Sequence, residues 1–264
     1  LFFMKILQIT FRYIKYLLNS TNKYSLHSPY IYSFVANVIF KKTPKEETGD
    51  INHLRSILYQ NNQYISVLDF GEGSTINKNK ERKVKDIAKN SSKNSKYGEL
   101  LMRIVQFLKP KNIIELGTSL GISTCYLSRG NPKASILTFE GCPETAKLAS
   151  NNFKKLDISN IKIIVGDFKK TLKDNLYLKD KTEFIFIDGN HNQNSTIEYF
   201  ELSLNISNNK TIIIFDDIHW SSGMEKAWEY IKKSDKITTT IDLFFIGIVF
   251  LNPKLSKEDF IIRF

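Results

Sequence analysis

Cysteine is almost missing from this chain. Cys125 and Cys142 are the only two in 264 residues, which excludes a disulfide framework and any zinc-ligand pattern. Arginine is scarce as well: six of the 38 basic residues are Arg and the rest Lys, scattered along the chain. No basic run alternates with aromatics, so the net charge of +11 reads as a solvated lysine surface more readily than as a nucleic-acid face. No stretch reaches the ~18 uncharged apolar residues of a membrane span. Phe2 to Leu18 is interrupted by Lys5, Arg12 and Lys15, and no small-residue cleavage site follows, which argues against a signal peptide. Met4 is a candidate initiator, since the first residue is Leu. With the two cysteines, these features point to the reducing cytoplasm. A dinucleotide G-x-G-x-x-G turn and a phosphate-loop G-K-S/T are both absent.

What is present is a 42% hydrophobic share, enough for a folded core. The chain is organised around Lys111 to Ser128, KNIIELGTSLGISTCYLS. A short apolar run ends in Glu115, a turn carries Gly117 and Gly121, and a helical pattern follows. A buried strand feeding a glycine turn that opens a helix brings backbone N–H groups up to a ligand. Glycine suits such a turn because a side chain would block close approach or the positive φ it needs.

Residues 1–20 read as a basic amphipathic helix with Ile6, Ile9, Tyr13, Tyr16 and Leu17 at helical spacing. Packing onto the main domain is the expected fate of that face, with peripheral membrane contact or a homodimer contact as the alternatives. Tyr30 to Phe40 continues as a second helix, and Lys41 to Asp50 reads as a linker or turn. Ser66 to Ser74, with Gly71 and Gly73, imitates a strand and glycine turn. The Lys- and Asn-rich stretch after it lacks the apolar helix a cofactor turn needs. It is expected to be part of a hairpin in a pre-domain or lid segment, with Tyr64 to Phe70 as one strand.

From Lys96 the rhythm is regular. Strands are expected at Ile113–Leu116, Ser135–Phe139, Ile161–Val165, Phe184–Ile187 and Thr211–Phe215, and helices at Gly98–Leu108, Ser123–Arg129, Glu144–Leu156, Ser195–Asn205 and Met224–Lys232. Such alternation implies a mostly parallel sheet covered on both faces. Thr238–Leu243 and Phe245–Leu251 are too close for a crossover and must pair antiparallel. Acidic residues close strand after strand: Glu115, Glu140, Asp167, Asp188 and Asp216-Asp217. Any single one is accounted for by helix capping, but the series is more than caps require. Ligands in open α/β sheets bind beyond the carboxyl ends of strands. Glu140 stands about 20 residues past the turn, where a carboxylate accepts ribose hydroxyls.

This ordered series resembles the class I S-adenosylmethionine-dependent methyltransferases, and within them the catechol and caffeoyl-CoA type of O-methyltransferase, as a bacterial member with an N-terminal extension. The resemblance covers roughly residues 95–251 and rests on ELGTSLGIS, TFEGCPE, VGDF, FIDGNH, FDDIHW and the final TTTIDL and FFIGIVFL pair. It implies a Rossmann-like α/β fold whose mostly parallel, seven-stranded sheet has an antiparallel last strand, in a domain of residues 95–264 behind a helical extension of residues 1–94. It also implies that Gly117, Thr118, Ser119 and Ser123 face the methionine moiety, with Glu115, Gly121 and Gly98 in the same cofactor-contacting region. Glu140 and Gly141 would serve the ribose, and Asp167 and Phe168 the adenine. Asp188 falls in both the cofactor-binding and the catalytic set.

In the metal-dependent branch one Mg²⁺ is held by three groups, and the matching positions are Asp188, Asp216 and Asp217. The last is commonly Asn in the family. His191 lies where a general base can sit, and a histidine titrates near neutrality. His191 as a loop histidine, His219 as a residue packed beside Trp220 rather than a further ligand or base, and a metal-free enzyme remain open alternatives. The implied activity is methylation of a small hydroxylated molecule, a phenol being one candidate. The competing readings are a methyltransferase acting on nucleic acid or protein, and a non-catalytic binding module. Neither FIDGNH nor FDDIHW has the Pro-Pro-aromatic strand end of base N-methylation, and Cys142 is misplaced for cytosine chemistry. Gly117 and Glu140, whose loss would favour a binding module, are both present.

Overall fold

Ten strands and ten α-helices follow one another in the computed structural model, which describes residues 2–22, 26–68, 80–91, 94–175 and 181–264. In chain order they begin with α1 (Phe2–Asn19), α2 (Pro29–Phe34, continued by a π-turn over Val35–Ile39), α3 (Gly49–Gln60), the short strands β1 (Tyr64–Val67) and β2 (Lys80–Lys83), α4 (Val84–Ser91) and α5 (Ser95–Leu108). The regular part runs β3 (Asn112–Leu116), α6 (Ile122–Gly130), β4 (Ser135–Glu140), α7 (Pro143–Lys155), β5 (Ile161–Val165) and α8 (Phe168–Asp174). Then come β6 (Thr182–Ile187), α9 (Gln193–Leu204), β7 (Ser207–Asp216), α10 (Ser222–Lys233), β8 (Thr239–Asp242), β9 (Ile246–Phe250) and β10 (Glu258–Ile261). The chain forms two compact units, one of residues 41–175 and one of residues 1–40 with 176–264.

In the unit of residues 41–175, β3, β4 and β5 lie side by side and parallel, with Ile113 opposite Ile136 and Ile136 opposite Ile161. The two crossover helices, α6 and α7, are what parallel pairing requires. Met102, Leu120, Cys125, Tyr126, Ala149 and Phe153 form one buried cluster with Ile51, Leu54 and Leu58 of α3. That helix was not anticipated. Its apolar residues stand three and four apart, but polar positions dilute the pattern. The expected linker is in fact fastened down: Arg103 Nη1 donates to Thr43 Oγ1 at 2.7 Å, and Gln106 Nε2 to Glu47 Oε2 at 2.9 Å. Strands β1 and β2 pair antiparallel, as the hairpin reading requires. Its glycine-bearing turn, residues 69–79, lies outside the described residues. Both cysteines are buried and free, and burial pushes the Cys125 thiol pKa up, so it is an inert core residue.

In the other unit the strand order is β10-β8-β9-β7-β6. Strands β6 and β7 are parallel, while β9 runs antiparallel to both β7 and β8. The apolar runs FIFI, TIIIF and IGIVF are buried along their length, as strands covered on both faces must be. Parallel β3-β4-β5 and β6-β7, with a reversed β9, are the expected Rossmann-like α/β pattern. All seven anticipated strands are present. An eighth, β10, pairs parallel to β8 through Glu258–Ile261, a segment whose charges hide its strand character.

Helix α1 is anchored in this unit by Tyr16, whose hydroxyl donates to the Ile262 carbonyl at 2.5 Å and whose ring lies 5.4 Å from that of Phe244. A second apolar face of α1, Leu7, Phe11, Ile14 and Leu18, is exposed. Among the described residues no helix is long and apolar enough to cross a membrane.

Candidate active site

Strand β3 delivers Glu115 and then breaks into the turn. Gly117 (φ 107°), Ser119 (φ 47°) and Gly121 (φ 81°) take positive φ. The amides of Gly117 and Thr118 both donate to the Phe139 carbonyl, at 3.0 and 3.1 Å, which closes the turn at its base. Gly121 has a second constraint, because a Cβ there would come within 2.5 Å of the Phe153 ring. Backbone conformation and space both demand glycine.

Beneath the turn Glu115 is fully buried. Its Oε1 accepts the Ser123 hydroxyl at 2.7 Å, and its Oε2 accepts those of Thr124 and Thr138 at 2.5 and 2.7 Å. Thr138 has spent its proton on Glu115, so in its 2.5 Å contact with Thr118 the donor is Thr118. The side chains of Glu115, Thr118 and Ser123 are therefore bonded inside the protein. They shape the turn, and its half-exposed edge is left to Gly117 and Ser119.

Glu140 ends β4 at that edge. Its Oε2 accepts the Ser119 amide at 2.7 Å and its Oε1 the Cys142 amide at 2.9 Å. Burial pushes the carboxyl pKa up, against the amides of Cys142, Ser119 and Gly141, which hold it down. Three amides leave the carboxylate, with its four acceptor sites, further capacity for a hydroxyl donor. Gly98 lies inside α5, where a Cβ would sit 2.4 Å from the Tyr126 ring, so helix packing accounts for it. Asp167 caps α8, accepting the Lys170 amide at 3.1 Å, and half-buried Phe168 is the first residue of that helix.

The second group of candidates belongs to the other unit. Ile187 and Phe215 are register partners, so Asp188 and Asp216 stand at neighbouring strand ends. His191 reaches back to them, with its Nε2 3.4 Å from Asp188 Oδ1. One ligand atom each from Asp188, His191 and Asp216 lies within 4.8 Å of the other two. Asp216 is buried, and Asp188 and His191 are half-buried. Asp217 is not in the group. It sits in a turn at φ 55°, its carbonyl accepting the Trp220 amide at 2.9 Å. The alternation pattern foretold the two strand ends. Which loop donor would swing beside them depended on the backbone between Gly189 and Asn192, where Asn190 takes φ 55°.

His219 belongs to a different network, one that sequence reasoning did not find. Its ring stacks on Phe244 at 5.2 Å, its Nε2 meets Asp242 Oδ2 at 2.7 Å, and its Nδ1 meets Glu225 Oε1 at 3.1 Å. Arg12 Nε donates to the other oxygen of Glu225 at 2.9 Å, joining α1 to α10. A neutral imidazole has one N–H and cannot donate to two carboxylates, whereas the imidazolium can. Burial opposes protonation, but the hydrogen bonds and charges of Asp242 and Glu225 outweigh it, so the pKa is raised. A raised histidine pKa stabilises the fold fully below the unfolded value and ceases to do so above the folded one. The unfolding free energy of wild type relative to His219→Gln should therefore show its largest gap just below about pH 6.5 and a narrower one in alkaline buffer. A gap independent of pH would count against the protonated clamp.

Residues 114–218 match the family model described as a methyltransferase domain. A catechol O-methyltransferase of Niastella koreensis is 32% identical over 125 residues, covering 46% of this chain and 55% of that protein. A catechol O-methyltransferase of Mycobacterium tuberculosis is 23% identical over 129 residues, covering 48% of this chain and 57% of that protein. The chain thus spans little more than half the length of these curated relatives. Among solved structures, an O-methyltransferase from Bacillus cereus in complex with SAH superposes with a TM-score of 0.55 at 20% identity, covering 83% of this chain and 96% of that one. At that identity what is shared is the fold.

Proposed function

We propose that this chain, whose residues 114–218 match the model of a methyltransferase domain, is a class I S-adenosylmethionine-dependent O-methyltransferase acting on a small hydroxylated, phenolic molecule. The observation that carries this reading is Glu140. Its carboxylate is fixed at the end of β4 by the amides of Ser119 and Cys142, beside a turn that keeps Gly117 and Ser119 half-exposed. A carboxylate with remaining acceptor capacity fits a ribose diol, and an acidic site without phosphate-binding elements fits a cationic cofactor. The fit of the residues present is therefore good. When bound, S-adenosylmethionine supplies an electrophilic methyl group on a sulfonium.

The chain's own residues then divide the work. Gly117, Ser119, Glu140 and Gly141 orient the cofactor, with Asp167 and Phe168 on its adenine side. Asp188, His191 and Asp216 handle the acceptor hydroxyl. In a metal-free form His191 would accept the proton of the acceptor hydroxyl, and Asp188, 3.4 Å away, would steady the resulting imidazolium. In a metal-bound form Asp188 and Asp216 would hold Mg²⁺, whose charge would lower the pKa of the acceptor hydroxyl, while Asp217, the third group that the resemblance implies, stands outside their cluster. Residues 1–94 are the segment proposed to select the acceptor. A homodimer or peripheral membrane contact through residues 1–20 would use the exposed Leu7, Phe11, Ile14 and Leu18. The two buried free cysteines fit the cytoplasm.

Calorimetric titration of S-adenosylmethionine into the purified chain, with and without Mg²⁺, tests the reading. Saturable binding, followed by release of S-adenosylhomocysteine when catechol-like compounds are added, is the expected outcome. No binding heat in either buffer would mean that the chain is not this kind of enzyme.

A further inference from the structure

The geometry points to Asp188, His191 and Asp216 as a mixed nitrogen–oxygen metal site, in which His191 is a ligand and which favours a first-row transition ion over Mg²⁺. The inference rests on the proposed reading of this acid group and deepens it. The resemblance implies an all-oxygen set completed by Asp217. The chain places an imidazole in the third position instead. Ligand atoms around one ion at metal–ligand distances of about 2.1 Å stand about 3 Å apart when adjacent and about 4.2 Å apart when opposite. The 3.4 Å between His191 Nε2 and Asp188 Oδ1 is close to the adjacent value. The 4.8 Å limit on the whole set exceeds the opposite value by a few tenths of an ångström, so side-chain torsions alone would bring the three donors onto an ion.

Donor chemistry then selects the metal. Mg²⁺ is a hard ion that asks for oxygen ligands and keeps most of its water, so an imidazole gains it little. Imidazole suits the later first-row ions, and affinity for a mixed site rises along the series from Mn²⁺ to Co²⁺ and beyond. Two carboxylates balance the charge of a divalent ion, and three protein ligands leave positions open for a small molecule. A nitrogen bound to a metal has no lone pair left for a proton. In the metal-bound form His191 is therefore not the base, and the acceptor hydroxyl loses its proton to solvent.

The experiment uses the full chain without cofactor. Co²⁺ is titrated and followed by its visible absorption, Mg²⁺ is then added as competitor, and both are repeated with His191→Ala. His191 is half-exposed in a loop, and thermal melting of the variant checks that it folds. The expected result is a saturable Co²⁺ spectrum that Mg²⁺ in about 100-fold excess does not bleach, with affinity falling at least about tenfold in His191→Ala. Mg²⁺ affinity, read by its residual competition, should be unchanged in the variant. Displacement of Co²⁺ by equimolar Mg²⁺, an unaltered Co²⁺ affinity in His191→Ala, or no Co²⁺ spectrum would each overturn the assignment. Titration of S-adenosylmethionine into the same two proteins separates the outcomes. Cofactor binding without metal binding removes only this inference, whereas absent cofactor binding removes the enzymatic reading.

Discussion

Glu115→Ala is expected to cost about 3–6 kcal/mol of folding stability in the unit of residues 41–175, a large part of the 5–15 kcal/mol typical of a domain. Glu115 has no exposed surface and accepts three hydroxyls, two of which, on Thr124 and Thr138, are themselves fully buried. Those two cannot turn to water. Thr138 keeps Thr118 at 2.5 Å as a partner, so the hydroxyl left orphaned is that of Thr124, at a cost of about 1–3 kcal/mol, and the cavity adds to that. Ser123 is half-buried and can rehydrate, so it contributes little. Against these losses stands the relief of no longer burying a carboxylate, which is why the estimate stops short of the sum. Urea denaturation gives the difference directly. Glu115→Gln, which keeps one carbonyl acceptor, should fall between wild type and the alanine variant. An alanine variant within about 1 kcal/mol of wild type would show that the hydroxyls find other partners.

Glu140→Ala is expected to weaken S-adenosylmethionine binding about 100-fold or more, from the loss of charge-assisted hydrogen bonds of about 1.5–3 kcal/mol each. The same carboxylate also holds the Ser119 and Cys142 amides, so part of the effect would come through the turn. The Ser119 amide stands at a half-exposed edge and can be rehydrated, whereas Cys142 is buried, so stability should fall, but less than in Glu115→Ala. On the proposed reading one acid chiefly supports the turn and the other chiefly meets ligand, and the pair of variants separates these roles. Calorimetry of both proteins measures this. Unchanged cofactor affinity in Glu140→Ala would remove the ribose-binding role.

Much of the fold was legible because its signals are local. A run such as Ile161–Val165 can be read as a strand wherever it sits, and it is one. The Thr239–Asp242 and Ile246–Phe250 pair is separated by too few residues for anything but an antiparallel return. Helices α3, α4 and α8 and strand β10 were missed because their polar residues interrupt the period that would have announced them. The glycine turn and the acids beside it could be located from spacing, but the spacing did not distinguish side chains bonded inside the protein from those left at the half-exposed edge. Glu115, Thr118 and Ser123 look alike with Ser119 and Glu140 in the string ELGTSLGIS…TFEG. Their hydrogen-bond partners tell them apart.

By itself, then, the sequence determined the strand–helix alternation, the reversed final strand, the glycine turn and the acids at the strand ends. These follow from periodicity, from glycine's freedom at positive φ and from chain length, all of which act over a few residues. The tertiary structure decided which acids are buried supports, that Asp217 gives up its place beside Asp188 and Asp216 to His191, and that His219 is held between Asp242 and Glu225. Those outcomes depend on side chains from separate elements meeting at distances of about 3 Å, where hydrogen-bond and ligand geometry are set. Only the register of one element against another fixes such distances.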